Sequence, residues 1–442
     1  MATRAAMKGQ RPAMHRTAPL RAAVSYDAQV RAADALRRSG RHDEALRAFH
    51  ALTLQHPQRS DAFSNLAAML QATGHPMPAL QHASRALELD PTSVAALLNS
   101  AEILKDFGEW QAALDSCEAA LALQPASPTL RFARALILLT LGRWDDAWQE
   151  HEARWQVPDM PLATVRLDTS QWDGSALDGR RIVLDHEQGL GDQIMFARFA
   201  TQVAARGGVV TMRCRAPLAA LFAAIPGVAT VVTDTDPIPE HDVHASLMSL
   251  PAMLGIRHPD QLSGVPYLAP VGACPSALRE VIGDEGLRVG LVWAGNPQHR
   301  NDARRSINPA LMVPLVALPG VRAISLQRHD DDAGVLPSVL QPHLRDAGAL
   351  LHSCNDTAHA LLQLDLLITV DTAVAHLAGA LGVPTLVLVP FVPDWRWMLE
   401  RTDTPWYDSV TLIRQQAPFE WQPVIDAACA RVRQLTASAD RA

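Results

Sequence analysis

The sequence predicts an α + α/β protein: an N-terminal α-solenoid followed by two doubly wound domains facing one cleft. Three observations predict it. Glycine, alanine and proline recur every 34 residues through the first third of the chain. Continuous Val/Ile/Leu runs then alternate with amphipathic stretches, which implies parallel sheets covered on both faces. A break at "VGACPSALREVIGDEG" divides those runs into two groups.

The first third is built from one unit used four times. Gly40, Gly74, Gly108 and Gly142 share the 34-residue spacing, as do Ala45, Ala79, Ala113 and Ala147, and Pro57, Pro91 and Pro125. Glycine ends one helix, a small alanine lets the next pack closely, and proline closes the pair. The fourth unit lacks its proline and carries Trp144, Trp148 and Trp155 instead. These tryptophans read as an apolar seal against the next domain, with a ligand box as the alternative. The pattern resembles the tetratricopeptide repeat over residues 26 to about 158. The resemblance implies a surface for a peptide or protein partner, with a spacer or homo-oligomer contact as the other reading.

Strands are expected at "RIVLD", "GVVTMRC" and "VATVV" in one domain, 166–284, and at "RVGLVWA", "VRAISLQ", "LDLLITV" and "PTLVLVP" in the second, 285–436. The uncharged window Thr372–Pro393 contains His376, Gly379, Gly382 and Pro384, so it reads as helix, turn and buried strand rather than a membrane span. Residues 1–24 are expected to be a disordered tail; the arginine-bearing start resembles a transit peptide but has no apolar stretch.

Composition narrows the function. The chain is 48% hydrophobic and 19% charged, which is ordinary for a globular protein. A net charge of −7 with dispersed arginines argues against nucleic acid as a partner. Five cysteines, odd in number and without CxxC spacing, point to a reducing, cytoplasmic setting and away from structural zinc. Lys8 and Lys105 are the only lysines, which excludes Schiff-base chemistry and a Walker-A lysine from the last two-thirds of the chain.

Two short stretches carry the chemistry. "EQGLGDQI" joins a strand to a helix, but the third glycine of a dinucleotide fingerprint would fall at Ile194, so a nicotinamide or flavin cofactor is not expected. Gln188, Gly189 and Gly191 then form an open turn, roomy enough for a bulky ligand. Asp192 stands in the first turn of the helix as either its cap or a catalytic base. In "LLITVDTAVAHLAGALG" a buried strand ends at Asp371 and a helix starts at once, so the amides of Thr372, Ala373 and Val374 are placed to hold phosphate. His376 lies one turn in, as ligand or as core.

Together with "HDVHASLMSLPAMLG", "VGLVWAGNPQHRNDARRSI", "DWRWMLERTDTPWY" and "TLIRQ", these stretches resemble the bacterial heptosyltransferase family of GT-B glycosyltransferases, over roughly residues 148–436. The resemblance implies two Rossmann-like domains, 166–284 on the acceptor side and 285–436 for a nucleotide-sugar. It implies Asp192 as general base, Asp371, Thr372 and His376 at the donor diphosphate, and Trp293 in the donor set. Ala373 stands where that family has glycine, and the family's phosphate lysine has no lysine counterpart; Arg304 or Arg305 is the candidate substitute. The implied activity is inverting transfer from a donor such as an ADP-heptose-like nucleotide-sugar to a protein or glycan, with no metal and no cofactor. A non-catalytic scaffold is the alternative, and a protein O-GlcNAc-type transferase is disfavoured by the missing lysine. On this reading, Asp192→Ala abolishes turnover and barely moves the thermal melt.

Other polar stretches read as structural. His329–Asp332 is expected to be a solvated loop, and His241 and His244 to lie at the surface rather than to bind metal. "DWRW", Asp394–Trp397, is placed equally for stacking on a ligand and for core packing.

Overall fold

The computed structural model describes residues 25–158, 160, 162, 167–299, 301–328 and 336–439. The tail 1–24 and the loop His329–Asp332 lie outside the described residues. The chain divides into two compact units, 1–99 and 100–442.

The 34-residue pattern becomes eight helices: α1 (Tyr26–Arg38), α2 (His42–Gln55), α3 (Ser60–Ala72), α4 (Pro76–Leu89), α5 (Val94–Asp106), α6 (Trp110–Leu123), α7 (Pro128–Thr140) and α8 (Trp144–His151). Each repeating glycine takes the left-handed conformation that ends a helix, with φ of +75°, +78°, +76° and +74° in turn. Each repeating alanine is fully buried, where any larger side chain would push the paired helix away. In the first unit Ala33, Ala45, Phe49, Leu52, Ala62, Leu66 and Met69 form one core.

The second unit holds the later repeat helices and two parallel sheets. The front sheet runs β1 (Ser170–Gln171), β5 (Val243–Ser246), β2 (Arg181–Asp185), β3 (Val209–Cys214) and β4 (Val228–Thr233). The rear sheet runs β11 (Val410–Arg414), β10 (Thr385–Val389), β9 (Leu366–Val370), β6 (Leu287–Val292), β7 (Val321–Ser325) and β8 (Leu344–Asp346). Every apolar run expected to be a strand is one. The four strands outside those runs are short or lie at an edge: β1 is two exposed residues, β8 three, β5 reads Val-His-Ala-Ser, and β11 alternates burial. The window Thr372–Pro393 is a helix (Ala373–Leu381) followed by β10, and no helix among the described residues is long and apolar enough to cross a membrane.

Helices give way to strands after α8, yet the compact units divide earlier, because the last repeat helices pack on the sheets. Trp144 packs on Trp406, and Trp148 meets Phe196 and Trp395, with ring centroids 5.4 to 6.1 Å apart. Each such pair adds about 0.5–1.5 kcal/mol beyond its apolar burial. Trp144 and Trp148 thus form the seal. Trp155 does not: it is 39% exposed and lies under the Arg154 guanidinium.

Topology fixes where a ligand sits. In the front sheet the chain order reverses between β2 and β5; in the rear sheet it reverses between β6 and β9. Crevices at the carboxyl ends of strands beside such switch points are where open α/β sheets bind ligands. The residues after β2, β6 and β9 are, in turn, the glycine turn, the arginine segment and the Asp371–Val374 helix start singled out from sequence.

Candidate functional site

The front loop leaves β2 and enters the helix Leu190–Ala197, with Gly189 as its N-cap. Asp192 performs the capping role directly, since its Oδ2 accepts from the Gly189 amide at 3.0 Å. Its other oxygen, Oδ1, accepts from the Arg396 guanidinium, which comes from the rear domain. A carboxylate oxygen has two lone pairs, so capping leaves Asp192 able to accept a further proton.

Gly191 is also required by packing. A Cβ there would lie 2.9 Å from His376 Cδ2 and 3.5 Å from Ala373 Cα. The glycine lets the front helix cross the rear helix Ala373–Leu381 closely. Gly189 is not so constrained, because its nearest contact would be an ordinary 3.4 Å to Asp192 itself.

The rear helix starts at Thr372, whose side chain makes no capping bond to it. Its first amides therefore face the cavity without the usual side-chain acceptor. Arg305 braces this opening: its Nη1 donates to the Asp371 carbonyl at 2.8 Å and its Nε to Asp302 at 3.2 Å. Arg304 turns the other way and pairs with Asp106 of α5. Of the two proposed lysine substitutes, Arg305 is the one at the strand end. Trp293 is 4% exposed and belongs to the rear core with Met312 and Leu315, so its bulk packs the sheet.

His376 is 4% exposed, stacks on Trp397 at 5.2 Å, and shares a 3.1 Å hydrogen bond with the Tyr407 hydroxyl through Nδ1. Burial, reinforced by the nearby Arg396 charge, lowers its pKa from 6.5 to about 3. It is therefore neutral at pH 7 and can offer a hydrogen bond but not a charge. Asp371 is shifted the opposite way, up to about 6, by burial and by the adjacent Asp394. Burial would also raise Asp394, but Arg396 holds it below the usual carboxylate value.

These shifts set a pH dependence. The unfolded chain protonates His376 below 6.5 while the folded chain resists until about 3, so this residue's stabilisation is full above 6.5 and is lost as pH falls through that window. Asp371 opposes it, since its raised pKa favours the folded state at low pH and that advantage disappears as pH rises from 3.8 to about 6. His376→Gln removes the first effect alone. Between pH 6.5 and 5 the unfolding free energy of wild type, read from urea titrations, should fall more steeply than that of the variant, by about 1.4 kcal/mol per pH unit at most. Equal slopes would show that His376 titrates normally.

All the site residues expected from sequence line one cavity of about 1290 Å³: Gln188, Gly189, Gly191 and Asp192 from the front, and Trp293, Arg304, Arg305, Asp371, Thr372, Ala373 and His376 from the rear. Pockets for drug-sized ligands run to roughly 300–1,000 Å³. This cavity lies just above that range. Phe132, Leu136 and His151 of α7 and α8 form part of its wall, so the repeat helices reach the cavity.

Three arginines that organise the site were not singled out from the sequence. Arg396 was visible only as part of "DWRW". Arg198 donates to the carbonyls of Met195, Ser263 and Trp406, tying the front helix to the rear domain. Arg154, fully buried, donates twice to Glu187 at 2.9 and 2.7 Å, and also to Glu152 and Ser249. It anchors the residue just before the glycine turn. His241 and His244 are half-buried rather than superficial, hydrogen-bonded to the Pro239 carbonyl and to Thr169. Among the described residues no three of His, Cys, Asp and Glu gather as a metal site would need.

The tetratricopeptide repeat family matches residues 30–94, 70–128 and 98–161. Residues 30–161 are tetratricopeptide repeats. The chain is similar to Protein FlbA of Caulobacter vibrioides, 27% identical over 334 residues, which is 66% of this chain and 52% of that protein. The chain thus spans about half the length of this curated relative. A 66% share exceeds the tetratricopeptide repeats and everything before them, so the likeness continues into the two-sheet region. Among solved structures, the chain is similar to MamA protein, at 24% identity and a TM-score of 0.26 over 29% of this chain and 69% of that one. It is also similar to the Yersinia enterocolitica type III secretion chaperone SycD in complex with a peptide of the translocator YopD, at 23% identity and a TM-score of 0.24 over 26% and 92% of the two chains.

Proposed function

We propose that the two-sheet region is a GT-B glycosyltransferase that moves a sugar, with inversion, from a nucleotide-sugar to an acceptor brought by the tetratricopeptide repeats. One observation carries this reading: a carboxylate from the front switch point and the open N-terminus of a helix from the rear switch point line the same cavity, with Arg305 beside the helix. An acceptor hydroxyl would give its proton to Asp192 while its oxygen bonds to the anomeric carbon. The bond from that carbon to the diphosphate breaks, and its electron pair leaves on the phosphate oxygen. Arg305 and the amides at Ala373 and Val374 would receive that charge. Asp371, Thr372 and a neutral His376 complete the donor side by hydrogen bonding. The scheme asks for no metal.

A protein or peptide acceptor is favoured because Phe132 and Leu136 of the repeats stand in the cavity wall. The competing reading, a scaffold on a degenerate GT-B fold, is favoured by Ala373 and by the occupied state of both Asp192 oxygens. Thermal melts with ADP, GDP and UDP separate the two. A diphosphate at about 100 times its Kd adds about 2.7 kcal/mol to the native state. At least one nucleotide is expected to raise the midpoint; no shift with any of them leaves the scaffold reading. Cleavage of ADP-, GDP- and UDP-sugars then names the donor.

A further inference from the structure

The loop Phe391–Arg401 is an expensive structure. Met398 and Glu400 both take the left-handed conformation, with φ of +53° and +54°, although neither is glycine. Such residues persist only where their surroundings over-determine them, and they gather at functional sites. Arg414, at the end of β11, supplies much of that constraint: it donates to the carbonyls of Arg401 at 2.8 Å, Met398 at 3.0 Å, and Trp397. Buried Trp395 and Trp397 pin the same loop.

What the loop presents is Arg396. It is 9% exposed, lies over the Trp395 ring at 4.3 Å, and lines the cavity. Nη1 donates to Asp394 at 2.6 Å, and Nη2 crosses to Asp192 Oδ1. A buried ion pair contributes little net stability, because desolvation offsets the attraction. A strained loop that holds a buried cation between its own Asp394 and Asp192 of the front helix is therefore poorly explained as a cross-link between domains.

We propose that Arg396 is a positioning residue for Asp192, an inference that rests on the glycosyltransferase reading. The Gly189 amide fixes one carboxylate oxygen and Arg396 fixes the other, which sets the carboxylate plane and leaves one lone pair on each oxygen. Since one fixing group comes from the front domain and the other from the rear, the base is aimed only while the two sheets face each other as they do here.

The test compares full-length wild type with Arg396→Gln and Arg396→Lys, using whichever nucleotide-sugar the cleavage screen identifies. Misplacing a catalytic group by an ångström costs about 100-fold, so Arg396→Gln should lower kcat by about that factor while KM for the donor stays within about threefold. Arg396→Lys should recover about tenfold of the loss, as a charge with poorer geometry. Retained kcat, or a loss confined to KM, overturns the assignment. If wild type cleaves no donor, the glycosyltransferase reading fails by itself, and the pairing is judged from melting midpoints of Asp192→Asn, Arg396→Gln and the double variant. A double variant no less stable than the weaker single one supports a coupled pair; strictly additive losses overturn it.

Discussion

Asp192→Asn is expected to lower sugar transfer by about 10²–10⁴-fold, the range that general-base help supplies. The amide keeps the volume and one acceptor oxygen, so it can accept either from the Gly189 amide or from Arg396, while its NH2 group faces the other donor. What it loses is the ability to take a proton. The structure also changes the stability expected of such variants. With Arg396 only 9% exposed, removing the carboxylate leaves a buried cation with Asp394 as its remaining bonded carboxylate, and Asp192→Ala should cost about 3–5 kcal/mol. The sequence alone suggested a nearly unchanged melt; it does not show the partner. Turnover is therefore best measured well below the variant's melting midpoint, and per folded molecule. A rate for Asp192→Asn within tenfold of wild type would remove Asp192 as the base.

Arg154→Ala is expected to destabilise the second unit by about 3–5 kcal/mol, read from urea unfolding. The side chains of Arg154 and Glu187 are both 0% exposed, so the alanine strands a buried carboxylate whose remaining donor is Ser246. Arg154→Met with Glu187→Gln fills the space without leaving a charge, and should recover most of the loss. The aromatic seal of Trp144, Trp148, Phe196, Trp395 and Trp406 contributes more apolar burial than this network does. The network's effect is on register: it fixes the residue from which the glycine turn departs. A single variant within about 1 kcal/mol of wild type would mean that water or a shifted side chain replaces the arginine.

Much of this molecule was legible in the sequence, and the legible parts share one property. The repeat glycines, alanines and prolines each answer to their own neighbours within a few residues, so their 34-residue spacing reports helices, closures and packing together. The strand runs were legible for the same reason, since strands buried on both faces need unbroken apolar stretches. Where burial is partial, as in β11, that signal weakens. The residues after β2, β6 and β9 could be singled out because turn chemistry is also local.

The sequence by itself determined the repeat helices, the two groups of parallel strands and the positions of the turns that end them, because each follows from short-range periodicity. Tertiary structure alone decided which groups meet. Arg396 reaches Asp192 across 204 residues of chain and Arg154 reaches Glu187 across 33, and neither distance leaves a periodic trace. It also decided that Gly191 serves a helix crossing, that Arg305 rather than Arg304 braces the strand end, and that His376 is neutral. Each of these depends on which atoms from elsewhere in the chain exclude water from the site, and only a folded chain sets that.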